Sequence, residues 1–457
     1  MIRFRDSLMN TPLDGVSVLV AGAGLAGLTA ARDLVRMGAD VTVVEARNRV
    51  GGRVWTLRDG FADAQHAEAG ADLIEESQHE VRRLAEELGL KLARILRGGW
   101  GYVRPDARGR PRIQRRGIVR GWDRLSTNLA GLVERYRLVE RRWDSPVTTE
   151  LARKSVAQWL DETRADDELR ATAFGLRGFF LADPEELSLL ALVDQFASDD
   201  MPGGVMYRVS GGNDRLTTAL AEALGDRVRL GTELVAVSHR GRGVRASIKQ
   251  GRQVSLIHCD YLVFTVPAPL LRRIPITPAL PAQQHEAIAS LKYGRATKTL
   301  LQFSQRFWRA PGRPRAFGSP LPFGAVWEGN EEQRGRSGIL SLMAGASASD
   351  AVAAIGATEG PGALARWLEW LGSRDADLVA WRQVVWESDP FARGGYAFFD
   401  PAFDPSLRAW LARPCGRLFF AGEHTSLQWQ GYMNGAVESG RRAAAEIAAS
   451  NALGSVP

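Results

Sequence analysis

The chain has 457 residues, 45% hydrophobic and 24% charged, with a formal net charge of +7. That length exceeds one ordinary core and predicts two domains, while the balance excludes a disordered or fibrous chain. Two cysteines, Cys259 and Cys415, are too few for a disulfide framework and lack C-x-x-C spacing, and the six histidines form no H-E-x-x-H pair, so a reducing compartment and no metal are expected.

Nearly all the positive charge is arginine, since lysine occurs only at Lys91, Lys154, Lys249, Lys292 and Lys298. The arginines are interspersed with acids, as in Glu140-Arg141-Arg142, and the one dense run is Arg108 to Arg120. A solvated surface accounts for them better than a nucleic-acid partner. Met1 to Leu13 lacks the apolar core of a signal peptide, and Glu438 to Pro457 is too short and charged for a membrane anchor. A soluble cytoplasmic protein is expected.

In chain order, Val16 to Ala21 is an apolar run bounded by glycine, as in a strand buried on both faces. A helix is predicted from Leu25 to Met37, ended by Gly38, and a second buried strand from Val41 to Val44. Gln78 to Leu88 reads as an amphipathic helix and Leu151 to Leu192 as mostly helical. Short strands are predicted at Val228–Leu230, Val235–Ser238, Val244–Ile248 and Tyr261–Thr265. Helix resumes at Ala363 to Leu371. A buried strand, Leu418 to Ala421, leads into a last helix from Gly435 to Ala449.

Between the first strand and helix stands Gly22-Ala23-Gly24-Leu25-Ala26-Gly27. Glycine lets a pyrophosphate approach the backbone, and the helix N-terminus offers unpaired N–H groups with favourable partial charge. Glu45 ends the second strand, where a carboxylate can accept the ribose hydroxyls of an adenosine. Strand, loop, helix, strand and acid in this order predict a dinucleotide site, without separating NAD from FAD.

The next residues, Glu45-Ala46-Arg47-Asn48-Arg49-Val50-Gly51-Gly52-Arg53, resemble the double-glycine extension of flavin amine oxidases. A second block, Arg417 to Ser426 followed by Gly431-Tyr432-Met433-Asn434-Gly435-Ala436, resembles the carboxy-terminal flavin motif of monoamine and polyamine oxidases. Trp386 to Tyr396 is similar to the segment preceding that motif, and Gly294 to Phe303 to the family's strand with an inward lysine.

The resemblance implies an α/β (α+β mixed) fold: a Rossmann-like FAD-binding domain of the glutathione-reductase/amine-oxidase type beside a substrate domain of mixed sheet plus helices. Residues 14–88, 205–282 and 388–450 would bind FAD, and 89–204 and 283–387 the substrate, with helices expected in 90–205 and 311–380. Carried over by match, Gly22, Gly24, Gly27, Glu45, Ala46, Arg47, Gly52, Arg53, Leu234, Trp386, Gly422, Glu423 and Met433 would hold the cofactor. Ser210-Gly211-Gly212 is a looser match. Tyr396 and Tyr432 would form an aromatic cage, with Trp429 either extending it or packing behind. Lys298 would hold a water at flavin N5.

Animal monoamine oxidases carry a flavin-bonded cysteine where this chain has Gly395, so FAD would be bound noncovalently. The implied activity is oxidation of an amine by hydride transfer to flavin N5, with oxygen as acceptor. The expected partners are a small-molecule amine and O2, with no membrane and no nucleic acid, and a homodimer is left open. Three alternatives stand beside it. An L-amino-acid oxidase of the same fold would need a carboxylate-binding arginine, such as Arg97, Arg104, Arg177 or Arg208. A desaturase or porphyrinogen-type oxidase would lack the paired tyrosines and inward lysine. An RNA-binding flavoprotein that is not an oxidase would use Arg108 to Arg120.

Overall fold

The computed structural model describes residues 11–105, 111–113, 120–197, 204–241, 243–319, 321, 323–374 and 377–454. Most of the Arg108 to Arg120 run, and Met1 to Asn10, lie outside them.

The apolar runs at Ser17–Ala21, Asp40–Val44, Tyr261–Phe264 and Leu418–Phe420, with Val228–Arg229, form one five-stranded parallel sheet. Its order is Val228–Arg229, Asp40–Val44, Ser17–Ala21, Tyr261–Phe264, Leu418–Phe420. Ala21 sits between Val44 and Phe264, and Phe264 pairs with Phe420, so these strands end together at one edge. In an open parallel sheet, loops at the carboxyl ends of the strands bind ligands. The helix Leu25–Arg36 packs on one face, and the long helix Met433–Gly454 crosses it closely: a Cβ on Gly440 would lie 2.4 Å from the Ala26 carbonyl oxygen.

Beside this sheet, Gln253–Cys259, Val244–Gln250, Thr232–Ser238 and Ile276–Thr277 form a four-stranded sheet. The sequence reading omits Gln253–Cys259, an edge strand whose Val254 and Leu256 face solvent and so break the usual in–out pattern. The third large sheet has seven strands, with Ala296–Phe303 and Gly338–Gly345 antiparallel near its centre. Residues 311–380 are therefore not simply helical as expected: they supply Ala316–Gly318, Ala325–Glu328, Gly338–Gly345 and the start of the edge strand Leu378–Val385. Short apolar runs buried on both faces carry no period that separates strand from helix.

Residues 120–197 are helical, and their leucines, valines and Trp159 close a core of their own. Among the described residues, no helix is long and apolar enough to cross a membrane.

Candidate functional site

A cavity of about 1690 Å³ runs from the carboxyl edge of the parallel sheet to the seven-stranded sheet. Such a volume exceeds the usual range for a drug-sized ligand and suits a dinucleotide with a substrate beside it. It is lined by every cofactor residue carried over by match except Gly27, and by Lys298, Tyr396 and Tyr432, whereas the looser match Ser210-Gly211-Gly212 lies outside it.

Gly27 is a packing residue. A Cβ there would lie 2.0 Å from the Gly22 carbonyl oxygen and 2.8 Å from Thr265 Oγ1. Gly24 is different. It has an ordinary extended backbone (φ −77°, ψ 179°), and a Cβ on it would meet no protein atom within 4 Å. A Cβ on Gly52 would meet only Gly24 Cα, at 3.7 Å. The space these glycines leave belongs to the cavity. Leu25 and Ala26, in the first turn of the helix, line it too; no side chain caps that turn and no acid stands in it. This is a seat for an anion.

Glu45 braces the seat. Its Oε2 accepts from Ala23 N at 2.8 Å and its Oε1 from Arg47 N at 2.9 Å, and each oxygen retains a lone pair for a hydroxyl. Arg47 forks onto Asp389 at 2.7 and 3.1 Å. Arg53 donates to the Gly395 carbonyl at 2.7 Å and to Glu423 Oε1 at 2.9 Å. Both guanidinium groups thus line the cavity while held by carboxylates. Burial pushes Glu423 up, but Arg53, His424 and the Gly431 amide more than offset it and hold Glu423 below the usual carboxylate range.

At the other end of the seat, Leu234, singled out from the sequence, lines the cavity together with its neighbour. Leu234 pairs with Ile248 and Ala236 with Ser247, so Val235 is the extra residue of a β-bulge and lines the cavity. A bulged residue's N–H and C=O are released from the ladder.

Lys298 lies at the far end, on Ala296–Phe303, and is 2% exposed. Its Nζ donates to Asp72 Oδ2 at 2.9 Å and to the Gly70 carbonyl at 3.1 Å, and sits 5.0 Å from the Trp327 ring centroid. Trp386 Nε1 donates to the Ala69 carbonyl at 3.0 Å, which fixes the indole behind the same turn. Met433 opens the last helix, two residues earlier than the sequence suggests, and lines the cavity with the first turn at its back.

The helical region fixes both tyrosines. Tyr396 donates its hydroxyl to the Phe179 carbonyl, and Tyr432 donates to Gln195 Oε1 at 3.1 Å. Burial pushes both phenols up, so they stay protonated. Trp429 packs edge-on against Tyr432, centroids 6.0 Å apart, and does not line the cavity. Phe179, Gln195, Trp327, Met343 and Asp72 line this end without a motif to announce them.

Of the arginines considered for a substrate carboxylate, Arg97, Arg177 and Arg208 do not line the cavity, and the side chain of Arg104 lies outside the described residues. Arg208 is wholly buried against Asp72 and Glu332. Neither cysteine reaches the cavity.

The family model for flavin containing amine oxidoreductases matches residues 25–448. The chain belongs to that family. The Mycobacterium tuberculosis protein AofH, named as a flavin-containing monoamine oxidase, is 30% identical over 98% of this chain and 100% of its own length. Amine oxidase A of Sus scrofa is 26% identical over 96% of this chain and 86% of its own. Among solved structures, a double mutant of putrescine oxidase superposes with a TM-score of 0.84 at 26% identity, covering 96% of this chain and 99% of its own. Cyclohexylamine oxidase from Brevibacterium oxydans IH-35A gives 0.82 at 26% identity over 95% and 99%. This member of the family is accordingly a flavin-dependent oxidoreductase acting on CH–NH2 groups, with FAD as its cofactor. Its residues fit that group: Gly24 and Gly52 leave a cradle that a Cβ would fill, at an uncapped helix N-terminus.

Proposed function

We propose that the protein oxidises a neutral, apolar amine of the aryl-alkyl kind and holds FAD noncovalently. The observation that carries this reading is the end of the cavity formed by Tyr396, Tyr432, Phe179, Met343, Trp327 and Lys298. Aromatic and thioether surfaces there favour an uncharged amine, because burial disfavours its ammonium form. When bound, FAD supplies the acceptor for a hydride from the substrate α-carbon and passes the two electrons to oxygen, giving hydrogen peroxide. The nitrogen lone pair closes a C=N bond as the hydride leaves, and water splits the imine to aldehyde and ammonia. The protein's part is placement and electrostatics.

Tyr396 and Tyr432 orient the amine, and their hydroxyls are already engaged with Phe179 and Gln195. Lys298 places a positive charge where oxygen acquires negative charge during reoxidation. The arginines lining the cavity serve other ends: Arg47 and Arg53 hold carboxylates, and Arg408 donates to the carbonyls of His424 and Ser426. Arg273 leads into Ile276–Thr277, which pairs with Val237 and Ser238. That favours an amine over an amino acid. Residues 14–88, 205–282 and 388–450 form the FAD-binding part in this reading, and 89–204 and 283–387 the substrate part.

The test is an anaerobic titration of the purified yellow protein with an aryl-alkyl amine and with the matching L-amino acid. Bleaching of the flavin band by the amine alone supports the proposal; bleaching by the amino acid refutes it. Acid precipitation should release all the flavin to the supernatant, and flavin retained in the pellet would contradict noncovalent binding.

A further inference from the structure

Behind the Lys298 ammonium lies a group of charges that the family motifs do not contain. Asp72, Arg208 and Glu332 come from three separate stretches of the chain and are all buried or nearly so. Asp72 Oδ1 accepts from Arg208 Nε at 2.8 Å and Nη2 at 2.5 Å, while Arg208 Nη1 donates to Glu332 at 2.7 Å. Asp72 Oδ2 accepts from Lys298 Nζ and from Trp327 Nε1, each at 2.9 Å. Four donors therefore fill the acceptor sites of one carboxylate, so it can neither rotate nor tilt.

The lysine is constrained in turn. An ammonium has three N–H bonds; Asp72 and the Gly70 carbonyl take two of Lys298's, and the side chain lines the cavity. We propose that Asp72 is a positioning residue, the counter-ion that keeps Lys298 an ammonium inside an apolar wall and aims its remaining N–H at the reacting end of the cavity. Without a partner, a lysine buried to this extent would shed its proton. Arg208 and Glu332 hold Asp72 without cancelling it: two cations and two anions alternate, and the set is neutral while the neighbouring buried Glu68, pushed up to about 8 by burial and by Asp72, keeps its proton.

The inference rests on the role given to Lys298 above, so its test avoids the amine. Holoprotein is reduced by light with EDTA, and its reoxidation by oxygen is followed in a stopped-flow instrument, per bound flavin. Lys298→Met and Asp72→Asn should each slow reoxidation by about 10- to 100-fold, and the double variant should be no slower than the slower single. With only five lysines in the chain, 13Cε-lysine NMR of the holoprotein resolves the signal lost in Lys298→Met. Asp72→Asn should lower that lysine's titration by about 1–3 pH units, and Asp72→Glu should restore it at least in part. A purely structural carboxylate would change flavin content or melting temperature and leave both readouts alone.

Should Asp72→Asn not fold, Trp327→Phe keeps the ring over Lys298 but removes one donor to Asp72. A reoxidation rate roughly 3- to 10-fold lower is then expected, with a smaller shift of the lysine titration in the same direction. Wild-type reoxidation with an unmoved lysine signal, in either variant, overturns the proposal. Lys298→Met reoxidising at the wild-type rate overturns the role of Lys298 and that of Asp72 in turnover. Failure of the amine to bleach the flavin touches only the substrate proposal.

Discussion

Gly24 and Gly27 stand three residues apart in one motif, yet a methyl group added to each should fail in a different way. At Gly27 the new Cβ lies 2.0 Å from a backbone oxygen, more than 1 Å inside the 3.4–4 Å of ordinary contact. The backbone of the Gly22 turn must move, and overpacking of this kind costs roughly 1–3 kcal/mol, only partly offset by alanine's higher helix propensity of about 1 kcal/mol. At Gly24 the methyl meets no protein atom, and the extended backbone suits alanine. Loss of a favoured N-cap costs about 0.5–1 kcal/mol, and the stiffer unfolded chain returns about 0.4–1 kcal/mol. Deflavinated Gly24→Ala should therefore unfold in urea within about 0.5 kcal/mol of wild type. Its FAD affinity should fall about 5- to 150-fold, because the same 1–3 kcal/mol now falls on the ligand. Fluorescence titration with FAD and urea melts of the flavin-free proteins measure the two quantities. If Gly24→Ala proves as unstable as Gly27→Ala, or binds FAD within about twofold of wild type, the space above Gly24 is not the cofactor's.

The carboxyl of Glu68 is pushed up to about 8 by burial and then by Asp72. A raised carboxyl binds its proton more tightly folded than unfolded, so its contribution is complete below about 4.5 and is lost as pH rises toward 8. Glu68→Gln should flatten a fall in stability between those values of at most about 1.4 kcal/mol per pH unit, read from urea melts at several pH values. Equal slopes in the two proteins would show that Glu68 does not titrate there. Tyr396→Phe keeps the ring and loses only the bond to Phe179, so kcat/KM for an apolar amine should stay within about threefold, while Tyr396→Ala should lose about tenfold or more. A phenylalanine variant as impaired as the alanine one would mean that the hydroxyl, not the ring, is what matters.

The parallel sheet was legible because its strands are short, largely apolar runs ended by glycine or an acid, each a local signal: Ser17–Ala21 before Gly22, Asp40–Val44 before Glu45 and Leu418–Phe420 before Ala421-Gly422. The glycine loop was legible for the same reason, although composition could not show that Gly27 packs while Gly24 stands open. What stayed hidden depends on partners far apart in sequence. Tyr396 and Tyr432 meet Phe179 and Gln195 across separations of 217 and 237 residues, and nothing near either end of those bonds marks them. Asp72 resembles any loop acid after a glycine until Arg208, 136 residues on, and Lys298, 226 residues on, arrive beside it. Arg208 was considered for a substrate carboxylate on its residue type alone, and burial against Asp72 and Glu332 removes it from that role.

Such a buried group is not explained by stability. Removing two pairs of charges from water costs several kcal/mol per ion, and well-packed apolar side chains of similar volume commonly serve a fold as well or better. The opposite face of the Lys298 strand and its partner shows the cheaper solution: Leu301, Phe303, Leu340 and Leu342 pack there with hydrocarbon alone. If Lys298 merely packed, a leucine in its place would let Asp72, Arg208 and Glu332 become apolar too. On the proposal above, the group as a whole follows from an ammonium needed at the cavity wall. The carboxylate is then required to keep it charged, the guanidinium to hold the carboxylate, and Glu332 to leave no charge over.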